Sequence, residues 1–324
     1  MALGVDCADT INSRDWKGLD QWWAGSAVFV GRYFGPATTY HGWAAGERAL
    51  SPAQKPHGPS YVVPFQATGA AVNNRQTVGG LQGYRNGQQD AGDTCDGIVG
   101  ALSSGELRPS ANSGVIRVYL DVEDFRPPAQ GVAGLPLTTD YWNGWASFIY
   151  NHVHIYTDPV TGAQKPLQLW QPCIYCPVDN PAGPGPYLPD HGVVNALSPH
   201  APANQPAGQW PQPRIAAPCY SLCFTRSVSH PNHANADFDL EAQTATEAQL
   251  QPVLAMFPHW VQPDADGHLF MNVFVRMWQY KTQIDAAYGL PANLGFDLDV
   301  TNEPPVNLPA QPINPTDLML RMPA

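Results

Sequence analysis

Apolar positions along this chain fall into two recurring patterns. Short runs apolar on both faces are GVDC (4–7), AVFVGRYF (27–34), PSYVVPFQA (59–67), GVIRVYLDVED (114–124), PLQLWQPCIY (166–175), PCYSLCFT (218–225), LFMNVFVRMWQY (269–280) and LGFDLDV (294–300). They are rich in branched and aromatic residues and too apolar to be half exposed, so they read as buried strands. Between several of them, apolar residues repeat at helical spacing. DWKGLDQWWAG (15–25) carries Trp16, Leu19, Trp22 and Trp23 on one stripe, and GWAAGERALS (42–51) suits a second helix. Residues 77–106 are a mixed helical region, and TDYWNGWASFIYNHV (139–153) stacks Tyr141, Trp142, Trp145, Phe148 and Ile149 on a helix face. TEAQLQPVLAMFPHWV (246–261) begins as a helix and meets Pro258.

Periodicity stops over residues 177–217, which are crowded with Pro, Gly, Asn and Ala, and again in the Pro-rich tail 303–324. Both read as outside the core, the first as an insertion loop. Strands alternating with helices predict an α/β fold with a parallel sheet covered by helices. About eight strands in one chain favour a closed (β/α)8 TIM-type barrel, regular or irregular, over an open sheet. No G-x-G-x-x-G follows the first strand, which counts against a dinucleotide fold. The expected organisation is one domain, 1–324, with the Pro-rich insertion and tail appended.

Composition narrows the function. The chain has 324 residues with 44% hydrophobic and only 13% charged residues, and a net charge of −11. That field repels a polyanion, and there is no Lys/Arg cluster to reverse it, so no nucleic-acid partner is expected. No run of eighteen apolar residues occurs, so no membrane span is expected. The opening MALGVDC has no charged, apolar leader; a removed signal, export by another route, or retention all fit it. Cys173, Cys176, Cys219 and Cys223 form C-x2-C and C-x3-C pairs. They are read either as four zinc thiolates or, more simply, as buried thiols plus a disulfide or two.

The chemistry gathers at strand ends. In a (β/α)8 barrel, reacting groups stand at the C-terminal ends of the strands. There the sequence offers Asp6, then Arg32 and Tyr33, then Gln66, then Asp121 and Glu123, then Trp278 and Tyr280, and last Asp297 and Asp299. Asp121 and Glu123 are two apart, leave one face of their strand, and have Cα atoms about 6.5 Å apart. Crowding two carboxylates keeps one protonated near neutral pH, which makes a general acid. Glycoside hydrolysis requires such a pair. The plain alternative is a D-x-E that caps a strand or holds an Arg.

These motifs carry a resemblance. GVDC, FVGRYF, YLDVED and MWQY followed by GFDLDV resemble the family 25 glycoside hydrolases, the Chalaropsis-type lysozymes. VGRYFG followed by a Glu-Arg helix, and LQGYRNGQQDAGD before the fourth strand, look closer to a related bacterial glycoside-hydrolase-like family of unsettled activity. The resemblance covers roughly 4–125 and 270–300. It implies Glu123 as general acid, with Asp121, Asp6 and Asp297 holding the attacking group, the substrate acetamido group or the sugar cation. It implies Tyr33, Trp278 and Tyr280 lining a sugar groove; Arg32, Gln66 and Asp299, from their places at strand ends, are further substrate-binding candidates. It further implies a peptidoglycan or other amino-sugar polysaccharide substrate, no metal or organic cofactor, and a secreted or cell-envelope location.

Two other clusters are read more plainly. His152 and His154 form an H-x-H, a metal pair if both lie on one strand. SHPNHANADFD (229–239) gathers His230, His233, Asp237 and Asp239, most simply as a polar loop. No G-x-S-x-G is present, and Cys7 reads as core packing. Two functions therefore stand: a glycosidase of the lysozyme type, or a glycoside-hydrolase-like protein that binds glycan or a partner without turnover.

Overall fold

A computed structural model describes residues 2–7, 11, 27–35, 61–66, 74–109, 115–122, 137–167, 169–179, 188–189, 222–225, 275–281, 297–301 and 320–321. In chain order the strands are β1 (Ala2–Asp6), β2 (Ala27–Phe34), β3 (Tyr61–Gln66), β4 (Arg108–Pro109), β5 (Val115–Asp121), β6 (His154–Thr157) and β7 (Gln164–Leu167). They continue with β8 (Leu169–Asp179), β9 (Leu188–Pro189), β10 (Leu222–Thr225), β11 (Val275–Lys281), β12 (Asp297–Thr301) and β13 (Leu320–Arg321). Two helices are described, α1 (Gly80–Ser103) and α2 (Thr139–Asn151). The helices expected at 15–25, 42–51 and 246–261 lie outside the described residues.

The ladders lead from strand to strand and return to their start. β1–β2, β2–β3, β3–β5, β5–β8, β8–β10 and β10–β11 are parallel. β12 then pairs antiparallel with both β11 and β1. This last strand departs from the all-parallel expectation. β11 and its parallel neighbours leave the sheet at one rim; an antiparallel β12 re-enters from that rim without a crossover back to the other end.

The pleat sorts the strand residues into two sets. Phe29, Tyr33, Val63, Phe65, Tyr119, Cys173 and Tyr175 form one buried cluster inside the ring. Phe65 is its centre: it stacks on Tyr33 at 5.4 Å, leans on Tyr119 at 5.3 Å and meets Tyr175 edge-on at 5.0 Å. Alternate residues, among them Val30, Arg32, Val62, Gln66, Ile116, Val118 and Ile174, are also buried. Burial on both faces explains why these strands read as continuous apolar runs.

Sequence expectations are refined in three places. The single strand expected at 166–175 is two: β7 forms an antiparallel hairpin with β6, and β8 joins the ring and runs on to Asp179. β9, within the Pro-rich stretch, pairs back on β8 at Val178–Pro189. In the Pro-rich tail, β13 pairs with both β3 and β4. It pairs with β3 at Tyr61 and Val62, while β3 and β5 share the Phe65–Tyr119 pair. Pro64, which has no N–H to donate, precedes Phe65 on β3.

Helices α1 and α2 follow β3 and β5 and pack against each other. The buried stripe of α1 is Gly83, Asn86, Gly87, Asp90, Ala91, Thr94, Cys95, Ile98, Ala101 and Leu102. The small residues let backbones touch. A Cβ on Gly87 would overlap the carbonyl of Tyr141 and the amide nitrogen of Trp145, and one on Gly144 would overlap the carbonyl of Tyr84. Backbone cannot retreat as a side-chain tip can, so Gly87→Ala is expected to lower stability by about 2–3 kcal/mol in urea unfolding. A neutral Gly87→Ala would show that the helices are not in backbone contact.

Candidate functional site at the strand ends

Three of the acids singled out from the sequence share one rim. Asp6 ends β1 and Asp121 ends β5, and both strands run the same way round the ring. Asp297 starts β12, but because β12 is antiparallel its first residue lies at that same rim, directly opposite Asp6 in the register. Directly paired residues on antiparallel strands have Cα atoms about 4.5–5.5 Å apart. Asp299 stands two places further along β12, opposite Gly4 and Gln279.

Asp6 rests in a close-fitting seat. It pairs in register with Gly31 on β2, where a Cβ would overlap both the Asp6 Cβ and the Phe65 ring. Only glycine leaves room there for the acid and the aromatic ring together. From the far side of the ring, Tyr175 on β8 donates its hydroxyl to Asp6 Oδ2 at 3.4 Å. β8 stands four ladders from β1 in either direction, so this bond crosses the interior. Asp6 is 3% and Asp121 2% exposed, so neither is a loosely solvated surface acid.

The end of β5 is clamped from two sides. Gln76 Nε2 donates to the Asp121 carbonyl at 2.9 Å, and the Val122 amide donates to the Tyr175 carbonyl at 2.8 Å. Gln76 is itself fixed, since its carbonyl accepts the Thr138 amide at 3.0 Å. Thr138 caps α2 by accepting the Tyr141 amide, so the cap of α2 and the end of β5 form one rigid unit. Glu123 follows directly and lies outside the described residues.

The other residues proposed for a sugar groove divide. Tyr33 belongs to the interior cluster below the rim, 4% exposed with its ring stacked on Phe65. Arg32 and Gln66 each make bonds that tie elements of the fold together. Arg32, fully buried, donates to the Cys7 carbonyl and so ties the ends of β1 and β2. Gln66 is taken up by α2: its amide donates to the Tyr141 hydroxyl at 3.0 Å, and its oxygen accepts the Trp145 indole N–H. Trp278, on β11, pairs in register with Phe224 on β10 and Val300 on β12, one place from the Gln279–Asp299 pair, and Tyr280 lies on the same strand as Trp278. Sequence reading missed Tyr175, whose only signal was its place on the strand after the D-x-E.

A second polar cluster lies behind the ring. Tyr141 donates to Asp90 Oδ2 at 2.8 Å, and Arg75 approaches Asp90 Oδ1 at 3.2 Å. Burial pushes the Asp90 carboxyl up to about 6, against the Tyr141 hydrogen bond and the Arg75 charge, which pull it down. Burial and the neighbouring Asp90 charge raise the Tyr141 phenol well above its usual range. With Gln66 and Trp145 this makes an Arg–Asp–Tyr–Gln–Trp chain that locks α1 and α2 to the end of β3.

The metal readings do not gain support. His152 caps α2 and His154 opens β6, their rings 4.8 Å apart and both packed near Phe148. Burial, helped by His152, lowers the His154 imidazole to about 4. Cys173 and Cys176 lie three apart on β8, so the pleat sends them to opposite faces and one ion cannot bind both. Cys7, Cys95, Cys173 and Cys176 are buried, and no cluster of three or more metal ligands occurs among the described residues. Cys219 and the 229–239 loop lie outside them. No described helix is long and apolar enough to cross a membrane.

Asp90 and His154 impose opposite pH dependences on stability. Asp90 holds its proton more tightly folded than unfolded, so its contribution is full below about pH 4 and is lost as pH rises through about 6. His154 holds its proton less tightly folded, so its contribution is present above about pH 6.5 and is lost as pH falls towards 4. The two offset each other across one window. The stability difference between wild type and Asp90→Asn is therefore expected to grow by about 2–3 kcal/mol from pH 7 to pH 4, read from urea unfolding at each pH. A pH-independent difference would remove Asp90 from this role.

No family model matches the chain, and no curated protein or solved structure is significantly similar to it.

Proposed function

We propose that this chain is a glycoside hydrolase of (β/α)8-derived architecture, cutting an amino-sugar polymer of the peptidoglycan class at the rim that carries Asp6, Asp121 and Asp297. The single observation that carries the reading is the register. Three acidic residues far apart in sequence have backbone positions at one end of the ring, with Asp6 and Asp297 as direct register partners. A strand end has no structural use for so many like charges at one rim, whereas an oxocarbenium-like transition state does. In this reading Glu123, two residues past the clamped Asp121, protonates the glycosidic oxygen as general acid. Asp121, Asp6 and Asp297 orient the attacking group or the acetamido group and stabilise the positive charge that develops on the sugar. The substrate is a neutral or cationic polysaccharide rather than a nucleic acid, in keeping with the net charge of −11. Secretion or attachment to the cell envelope would follow from such a substrate.

One observation favours a second reading, a glycan-binding protein that has lost turnover. Tyr33, assigned by the resemblance to the sugar groove, is buried against Phe65, and Gln66 is occupied by α2. Two of the contacts a lysozyme groove would use are thereby committed to the fold.

Reducing-end release from purified peptidoglycan and from a panel of amino-sugar polymers separates these readings. Wild type is expected to release ends, and Glu123→Gln to lose about a hundredfold or more. Full activity in Glu123→Gln would remove the proposed acid. Binding without release by either protein would establish the second reading.

A further inference from the structure

We infer that Tyr175 is a positioning residue for Asp6, and that it links that acid mechanically to the end of β5; this rests on the glycosidase reading only for the use made of the link. Two bonds from one residue make it. The Tyr175 hydroxyl crosses the ring to Asp6 Oδ2 at 3.4 Å, and its carbonyl accepts the Val122 amide at 2.8 Å, between Asp121 and Glu123. In the parallel ladder, Tyr175 also pairs directly with Asp121. One residue thus links the end of β5 to the acid of β1.

The ring of Tyr175 has little freedom to do anything else. It is 1% exposed, and Phe65 meets it edge-on at 5.0 Å. Phe65 in turn is admitted only because Gly31 has no Cβ, and the same glycine makes room for Asp6. The seat therefore fixes three things together: the acid, the aromatic ring and the strut. A phenol donating to a carboxylate favours its ionised form and holds one oxygen in place. The groups that face Asp6 and its strut are Tyr175 on β8, Gly31 on β2 and Phe65 on β3. Asp297 stands opposite in register on β12, Asp121 beside Tyr175 on β5, and Arg32 on β2 at the Cys7 carbonyl. Tyr175 donates to Asp6 from its side chain, while Asp297 and Asp121 are of the same charge type as Asp6.

The test does not depend on a substrate. Carboxylate 13C NMR of Asp6 is followed against pH in wild type and in Tyr175→Phe, which keeps the ring and its packing on Phe65. Removing the donor is expected to raise the Asp6 midpoint by about one unit. An unmoved midpoint in a folded variant would overturn the proposal. Should Tyr175→Phe not fold, the wild-type hydroxyl proton serves instead. A slowly exchanging signal with an NOE to the Asp6 methylene supports the strut, and rapid exchange without that NOE overturns it. If peptidoglycan cleavage is found, Tyr175→Phe is further expected to move the acidic limb of the kcat/KM profile upward and leave KM nearly unchanged. Absence of cleavage by wild type would sink the glycosidase reading and leave the midpoint test intact.

Discussion

The arrangement depends on where the last ring strand enters. β12 pairs with β1 on one side and β11 on the other, and in doing so joins the start of the chain to its last third. Its direction matters as much as its presence. A parallel β12 would carry Asp297 to the far end of the ring, away from Asp6. Running antiparallel, it begins at the rim where the parallel strands end. The candidate site is therefore a consequence of chain direction at one strand, and Asp6 gains its register partner from a residue almost 300 positions away in sequence.

Two packing systems hold that rim in place, one inside the ring and one outside. Inside, Phe65 and its three tyrosine neighbours fill the space below the acids, and one of those tyrosines reaches up to Asp6. Outside, the Arg75–Asp90–Tyr141–Gln66–Trp145 chain couples the helices to β3, and Gln76 couples the cap of α2 to the end of β5. Buried polar chains of this kind are costly when incomplete and rigid when satisfied. Their place directly behind the rim suits a site whose carboxylates need fixed separations, because small displacements of reacting groups cost large factors in rate. The glycine contacts between α1 and α2 serve the same end, since they set how closely Tyr141 can approach Asp90 and Gln66.

Strands were the most legible part of the sequence. The run at 27–34 coincides with β2, and the acid-ended run at 114–124 contains β5, because burial on both faces writes itself as an unbroken apolar stretch. α2 was legible too, since its inner face is aromatic. α1 was only a mixed helical region: its buried stripe consists of Gly, Asn, Asp, Thr and Cys as much as of Ile and Leu, so it has helical spacing without hydrophobic contrast. β13 was hidden for another reason. A two-residue strand needs no periodicity, and its partners β3 and β4 are more than 200 residues upstream. Of the candidate site, Asp6 and Asp121 were visible as acids ending apolar runs, and Asp297 as an acid within the last one. Arg32 and Gln66 looked equivalent to them because sequence gives position along a strand but not which face is turned to the ring. Tyr175 was invisible because its partner lies 169 residues away.

The pairing of β1 with β12 is the claim on which the site stands, and a crosslink tests it most directly. With Asp6→Cys and Asp297→Cys introduced together, mild oxidation followed by peptide mass mapping reads whether the two positions meet. Directly opposed strand residues fall within the Cα separation a disulfide accepts. A 6–297 disulfide, formed within one chain and absent from either single variant, is the result the account predicts. No such link in the folded double variant would place β12 elsewhere and dissolve the shared rim of Asp6, Asp121 and Asp297.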